Sequence, residues 1–440
     1  MLPLLRRFAR VCVLLVERYL PDPFLFAVLL TFVVFIMGLV WTPSGPLEMI
    51  QHWGDGFWGL LEFTMQMVLI LVLGHALARA PLVERGLRTV AGLARNSGGA
   101  LMLTTFVATL ASWINWGFGL VAGALFAREV AKRVPNVDYR VLVAGAYSGF
   151  LVWHGGLSGS VPLKLATDDQ FGVTIPASET LFAAFNLVPV IVLTATLPLL
   201  IRRMQPPRPE RVTIRPELLR DDDFDLLGAD DSAKTPAERL ETSPVLSLAT
   251  AVMGLTFIML FFIEKGASLD LNIINFIFLV AGVALHRTPK RYLAAISEAV
   301  GKTGGIVLQF PFYAGIMGMM ASSGLGERIS ELFAGISDET TFPLFTFLSA
   351  GLVNLFIPSG GGQWAVQGPI MLSAGEALGV DPAKTAMAVA WGDAWTNLIQ
   401  PFWALPLLAI AKLKARDIMG YCLVVLFYSG VVIGLSFLLL

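Results

Sequence analysis

SWINWGFG at residues 112–119 and NLFIPSGGGQW at residues 354–364 decide how this chain folds. Each is a knot of glycine, amide and hydroxyl residues between two apolar arms, within Gly98–Arg133 for the first and Phe342–Gly375 for the second. At 1.5 Å per helical residue each arm amounts to a partial membrane crossing, and each segment ends at a polar loop. Both are therefore read as re-entrant helical hairpins whose tips lie inside a membrane. Backbone that leaves a helix at that depth exposes N–H and C=O groups at a cost of several kcal/mol each, so it persists only around a cavity or buried in protein.

The flanking sequence calls for that membrane. Of 440 residues, 56% are hydrophobic and 14% charged, more apolar material than a soluble fold of this size could hide. Apolar runs long enough to cross hydrocarbon extend over Pro23–Trp41, Phe57–Ala78, Leu181–Ile201, Pro244–Ile263, Leu271–Leu285, Ala299–Ala321 and Ile418–Leu439. Tyr139–Ala166 and Pro382–Leu413 are long as well, but Gly, His, Asn and Asp break them midway. Lys and Arg are segregated into a few short stretches, which argues against a nucleic-acid partner. Cys12 and Cys422 stand alone in apolar surroundings, giving neither a disulfide framework nor a metal site. No cofactor is expected.

Arg79, Arg85, Arg88, Arg95, Arg128, Lys132, Arg133 and Arg140 share one side with the stretch from Arg202, with Arg287, Lys290 and Arg291, and with Lys412, Lys414 and Arg416. The loops Thr42–Gly56 and Thr167–Thr180, on the other side, hold no Lys or Arg. By the positive-inside rule, nine spans plus two hairpins give a cytosolic N-terminus and an external C-terminus. Arg6, Arg7 and Arg10 ahead of a short apolar run make residues 1–20 a cytosolic amphipathic helix, retained in the mature protein.

Sliding the chain against itself by 243 positions exposes an internal repeat. Gln66 meets Gln309, Glu84 and Arg85 meet Glu327 and Arg328, Gly117 and Gly119 meet Gly360 and Gly362, and Asp138 meets Asp381. Residues 21–203 form the first repeat and 265–440 the second. A solvated cytosolic linker at 204–243 and a connecting transmembrane helix at 244–264 separate them, and that extra crossing inverts the second repeat. The fold class expected is an all-α integral membrane protein, an inverted-repeat secondary transporter with two re-entrant hairpins and two broken helices. Val83, Leu87, Val90 and Leu93, and Leu325, Ile329, Leu332 and Ile336, keep helical spacing opposite their charges, which suits two helices lying flat at the interfaces.

Non-helical backbone at depth marks the candidate site. The first tip holds Ser112, Asn115, Gly117 and Gly119; the second holds Asn354, Pro358, Ser359, Gly360, Gly361, Gly362 and Gln363. The first break holds Ser148, His154, Gly155, Gly156, Ser158 and Ser160; the second holds Asp393, Thr396, Asn397 and Gln400. Tips and breaks should converge near the midplane, where glycine backbone and half-helix N-termini suit a carboxylate. Asp393, the one acidic residue well inside, is the candidate for coupling to H+ or Na+. Plainer readings stand beside these. The glycines can serve close helix packing, Asp393 can tie down backbone amides, and His154 can be a satisfied interior histidine. The tryptophans near tips and breaks can be packing alone, and Lys164 either snorkels outward or counters an anion. His154 and Ser158 look at first like a nucleophile pair, but GLSGS lacks the closing glycine of a nucleophile elbow.

The strings NLFIPSGGGQWAVQGPIM (residues 354–371) and WGDAWTNLIQPFWALPLLAIAKLKARDIMGY (residues 391–421), with PDPF at 21–24 and SWINWGFGL at 112–120, resemble the short-chain fatty acid transporter family, of the acetoacetate and butyrate permease type. The resemblance covers essentially the whole chain. It implies an elevator-type carrier of short-chain monocarboxylates in a bacterial inner membrane, a scaffold with a mobile transport domain, and a homodimer. It places Ser112, Asn115, Ser359, Gly360 and Asn397 near substrate or cation. The first tip lacks the Ser-Asn-Thr string of the dicarboxylate branch, which favours H+ over Na+; C4-dicarboxylates or aminoacyl compounds remain the alternative substrates.

Overall fold

The computed structural model describes residues 23–167, 174–214, 216–219, 235–266, 268–355 and 359–440. The expected N-terminal helix at 1–20, the middle of the linker, and Pro358 in the second tip lie outside them. Among the described residues every regular element is helical.

The first repeat runs α1 (Pro23–Trp41), α2 (Pro46–Gly56), α3 (Leu61–Ala78), α4 (Pro81–Ala91), α5 (Ser97–Ile114) and α6 (Trp116–Arg133). It continues through α7 (Tyr139–Ser148), a 3-10 turn over Gly149–Gly155, α8 (Ser160–Thr167) and α9 (Ala184–Arg203). The connecting helix is α10 (Pro244–Lys265). The second repeat runs α11 (Leu271–His286), α12 (Pro289–Val300), α13 (Gly304–Ser323), α14 (Leu325–Gly335), α15 (Phe342–Asn354), α16 (Gly360–Ala377), α17 (Pro382–Asn397), α18 (Pro401–Ala411) and α19 (Ala415–Leu439).

The 243-residue register is kept in three dimensions. Pro46 and Pro289, Leu61 and Gly304, and Tyr139 and Pro382 begin equivalent helices. Asp138 and Asp381 are equivalent N-caps, accepting backbone N–H groups of α7 and α17, a role for which aspartate is among the best residues.

Two contacts fix the relative direction of the repeats. Helix α2, which leads into the start of α3, packs on the second half of α13. A Cβ on Gly56 would lie 2.8 Å from the Gly318 Cα, and one on Gly315 would lie 2.5 Å from the Trp53 ring. Helix α12, which leads into the start of α13, packs on the end of α3, where Glu298 lies 3.1 Å from His75 and 3.2 Å from Arg79. Helices α3 and α13 are therefore antiparallel, and the repeats are inverted.

Two expectations are corrected. Thr42–Gly56, read as a loop, contains α2, opened by Pro46 at its first position and by a Glu48 carboxylate that accepts the Gly45 N–H at 2.8 Å; its second-repeat counterpart, α12, likewise occupies a charged stretch, between the spans Leu271–Leu285 and Ala299–Ala321, to which the sequence assigns no helix. The arms α5 and α6 have 18 residues each, about 27 Å at 1.5 Å per residue, and fall within one residue of the two halves expected of Gly98–Arg133. The linker is not solvated along its whole length: Val212 donates its N–H to Asp138 at 2.9 Å and accepts that of Tyr139 at 2.8 Å.

The helices sort into two groups by what they touch. One contains α1–α4 and α10–α14; the other contains α5–α9 and α15–α19. The groups meet chiefly where α6 packs on α3 and α4, and where α16 packs on α13 and α14, two seams related by the repeat.

Candidate functional site

At the first seam, helices α5 and α6 turn at Asn115, the C-cap of one and N-cap of the other. Its side-chain oxygen accepts the Phe118 N–H at 2.9 Å. The turn stops against the middle and lower half of α3: a Cβ on Gly117 would lie 3.1 Å from the Leu71 Cα, and one on Gly74 would collide with the Asn115 amide. Glycine is required at 119 because a Cβ there would lie 2.4 Å from the Ser112 Cα on the opposite arm. The second tip reaches the middle of α13, with Gly361 against Phe63 and Phe310 and Gly362 against the Tyr313 ring. Ser359 caps α16 by accepting the Gly362 N–H.

The first break lies between the tips. His154 is fully buried, its ring stacked on Trp153 with centroids 4.0 Å apart. Its Nε2 accepts the Val161 N–H at 3.1 Å and lies 3.0 Å from the Ser160 hydroxyl, so His154 caps the half-helix α8. Because a neutral imidazole has one donor and one acceptor nitrogen, the ring carries its proton on Nδ1. That nitrogen lies 3.4 Å from Oδ1 of Asp393 on α17 without being aligned for a hydrogen bond. Both Asp393 carboxylate oxygens are buried and have no hydrogen-bond partner.

The breaks touch each other directly. Trp153 donates its Nε1–H to the Asn397 side-chain oxygen at 3.1 Å, and Tyr147 donates its hydroxyl to the Asn397 carbonyl at 2.6 Å. Asn354, at the end of α15, donates to the Asp393 carbonyl at 2.7 Å and to the Thr396 hydroxyl at 2.9 Å. Gln400 donates to the Asn354 carbonyl. Gly360 closes the second tip onto the first break: a Cβ there would lie 2.6 Å from His154 Cε1 and 2.8 Å from the Ser160 hydroxyl. The convergence of tips and breaks is thus present, with Asp393, His154, Ser160, Gly360, Thr396 and Asn397 in one cluster.

Other sequence-picked residues serve the scaffold of this cluster. Ser158 accepts the Trp116 N–H at 2.9 Å and joins the first break to the first tip, while Ser148 donates to the Ala144 carbonyl within its own helix. His154 faces Ser160, so the apparent His154–Ser158 pair is not formed. The Gln363 amide donates to the Ala350 carbonyl and to Gln367, both at 2.8 Å, inside the second hairpin. The Gly155 carbonyl accepts from Asn186. Ser112 Oγ and Asn115 Nδ2 are buried without partners at the first tip, one tip away from Asp393.

Two contributors escaped sequence reasoning. Asn186 on α9 donates to the carbonyls of Gly155 and Leu181 and accepts the Trp391 indole N–H at 2.8 Å; the signal was a lone amide in an apolar span. Tyr147 carries no such signal. Lys164 does not snorkel: it is buried, its ammonium 4.9 Å from the centroid of the Phe63 ring.

Comparison with known proteins agrees with this geometry. A family model described as "Short chain fatty acid transporter" matches residues 4–440. A putative short-chain fatty acid transporter of Escherichia coli (strain K12) is 48% identical over 98% of this chain and 99% of its own length. A protein of the same description from Haemophilus influenzae is 43% identical over 99% of this chain and 100% of its own. Among solved structures, the Alcanivorax borkumensis YdaH transporter, described as having an unusual topology, superposes with a TM-score of 0.60 at 17% identity, covering 95% of this chain and 97% of that one. Neisseria gonorrhoeae MtrF, described among antimetabolite efflux pumps, gives 0.54 at 16% identity, covering 98% and 96%; at such identities the likeness concerns the fold. The broken helices, inverted repeats and full-length match together identify this chain as a member of the short-chain fatty acid transporter family, a family of membrane transporters and not of enzymes.

Proposed function

We propose that this protein carries short-chain monocarboxylates such as acetoacetate and butyrate by an elevator movement coupled to a cation, H+ in preference to Na+. The observation that carries the reading is Asp393: a carboxylate buried among broken helices, its Oδ1 3.4 Å from the His154 ring and neither oxygen in a hydrogen bond, is placed to take up a proton or a cation. A carboxylate substrate is supported by the family and by the glycine-lined start of α16, whose backbone N–H groups and positive dipole end favour an anion. Ser112, Asn115, Gly117, His154, Gly155, Ser158, Ser359, Gly360, Gly361, Gln363, Thr396 and Asn397 form or support the substrate chamber. In the elevator, the hairpins and broken helices move as one body along the seams at α3 and α13, with both hairpins re-entrant. The placement of Lys and Arg supports a cytosolic N-terminus and an external C-terminus, and the family resemblance supports a bacterial inner membrane and assembly as a homodimer.

Asp393→Asn separates carrying from coupling. In proteoliposomes the variant is expected to exchange labelled butyrate across the membrane yet to fail to accumulate it under an inward proton gradient. Full accumulation by the variant removes Asp393 from the coupling role. Competition of uptake by succinate instead of two- to six-carbon monoacids would favour the dicarboxylate alternative.

A further inference from the structure

The 243-residue register equates positions of opposite chemistry. On the second hairpin it sets Asn354, Ser359 and Gln363 against Ala111, Trp116 and Leu120 of the first. On the breaks it sets Asp393 and Thr396 against Phe150 and Trp153. The half-helices cross over, α8 packing on the second hairpin and α18 on the first, and there Ser160 corresponds to Trp403. These positions are therefore all polar around the second tip and all aliphatic or aromatic around the first.

The apolar half is built of rings. Trp116, the first residue of α6, meets Trp403 of α18 edge to face with centroids 5.4 Å apart, and Trp153 of the first break at 6.0 Å. Trp153 and Trp403 are 6.4 Å apart, and Phe150 stacks on Trp153 at 5.7 Å. All of these rings are buried. They come from the first tip, the first break and the half-helix after the second break, so they meet only where tips and breaks converge. The polar half instead is short of partners: Asn354 Oδ1, Gln363 Oε1 and both Asp393 oxygens are buried without a hydrogen bond. Trp153 joins the halves, since its indole donates to Asn397, its ring rests on His154, and a Cβ on Gly360 would lie 2.8 Å from it. Ser112 and Asn115, polar residues of the first tip, lie against Gly119 of the opposite arm and Gly74 of α3.

We infer that the ring cluster is the acyl-chain subsite, so that the substrate lies across the breaks with its carboxylate toward the second tip and its tail on Trp116, Phe150, Trp153 and Trp403. The inference rests on the reading of tips and breaks as the substrate chamber, and it names what that chamber accepts: an acid with one charged end and a short apolar tail. Methylene groups laid on the rings leave water without breaking any hydrogen bond of the protein. A tail laid on the other half would seal in unpaired carbonyl and carboxylate oxygens. A dicarboxylate meets the converse penalty, because its second charge would be desolvated against ring faces that are themselves negative. The rings pack on one another, so the same wall limits the length of the tail.

The test measures uptake of labelled butyrate by full-length protein in liposomes, with unlabelled hexanoate or succinate as competitor. In the wild type, succinate is expected to have no effect at concentrations at which unlabelled butyrate blocks uptake. Trp116→Leu and Trp403→Leu, on separate elements, each cut the wall back. In each, hexanoate should gain about tenfold on butyrate as a competitor, the worth of two more methylenes accommodated, while succinate stays without effect. Trp395→Phe changes a tryptophan of the second break that packs on Phe347, away from the wall, and should keep the wild-type order of acids. Leucine variants that rank the acids as the wild type does overturn the inference, as does an equal shift in Trp395→Phe. Succinate that competes as well as butyrate in the wild type overturns it without recourse to any variant. Wild-type protein that takes up none of these acids removes the chamber reading itself, and the inference with it.

Discussion

At the residue scale, the cluster depends on a few places where no side chain fits. Gly360 is the clearest, because His154 Cε1 and the Ser160 hydroxyl already occupy the space of a Cβ. Gly360→Ala should force the second tip off the first break, an overpacking that costs about 1–3 kcal/mol. Butyrate uptake in proteoliposomes is expected to fall about tenfold or more while the protein still purifies as a folded species; wild-type uptake by the variant would show that the tip does not close on His154. Much of this was legible in the sequence, since glycine, amide and acid side chains in an apolar chain call attention to themselves. The pairing was not. Ser158 and Ser160 are equally polar and two residues apart, and only the path of the 3-10 turn decides that Ser160 meets His154 while Ser158 holds the first tip.

At the element scale, helices that cross or dip were readable from their apolar lengths, and the break positions from the polar residues inside them. Helices α2 and α12 were not, because an 11- or 12-residue segment carrying Glu48, Gln51, His52 and Asp55, or Lys290, Arg291 and Glu298, has no long apolar run to announce it. They nevertheless tie one repeat to the other. Glu298 on α12 lies 3.1 Å from His75 Nε2 and accepts a hydrogen bond from Arg79 at 3.2 Å, and these hold its carboxyl well below the usual carboxylate range, against the opposing effect of partial burial. A carboxyl whose folded-state pKa is depressed stabilises the fold above its unfolded pKa and loses that contribution as the pH falls. The advantage of wild type over Glu298→Gln in thermal unfolding of the detergent-solubilised protein should therefore be full near neutrality. It should shrink progressively on acidification below about pH 4.5, the ordinary glutamate value. A difference independent of pH would mean that the ion pair does not join α12 to α3.

At the scale of the whole molecule, the exposed face of α10, with Val245, Leu248, Met253 and Ile263 open to the surroundings, belongs in lipid, as does that of α1 with Phe32, Ile36 and Val40. The inversion of the repeats was legible because the charged pairs Glu84–Arg85 and Glu327–Arg328 recur in one register, and one extra span reverses direction. The division into two helix groups was not, since it is a property of which faces touch. If those groups slide past each other, a covalent link across a seam must stop transport. Leu71→Cys with Gly117→Cys places two thiols on backbones in contact, within disulfide reach, and Cys422 is buried away from oxidant. Oxidation should abolish uptake and reduction should restore it; undiminished uptake by the cross-linked protein would exclude relative motion at that seam. The most direct measurement is accumulation of labelled butyrate by purified protein in sealed liposomes, with proton and sodium gradients imposed separately. The account predicts concentrative uptake driven by the inward proton gradient alone, and accumulation that follows only a sodium gradient, or none under either, would contradict it.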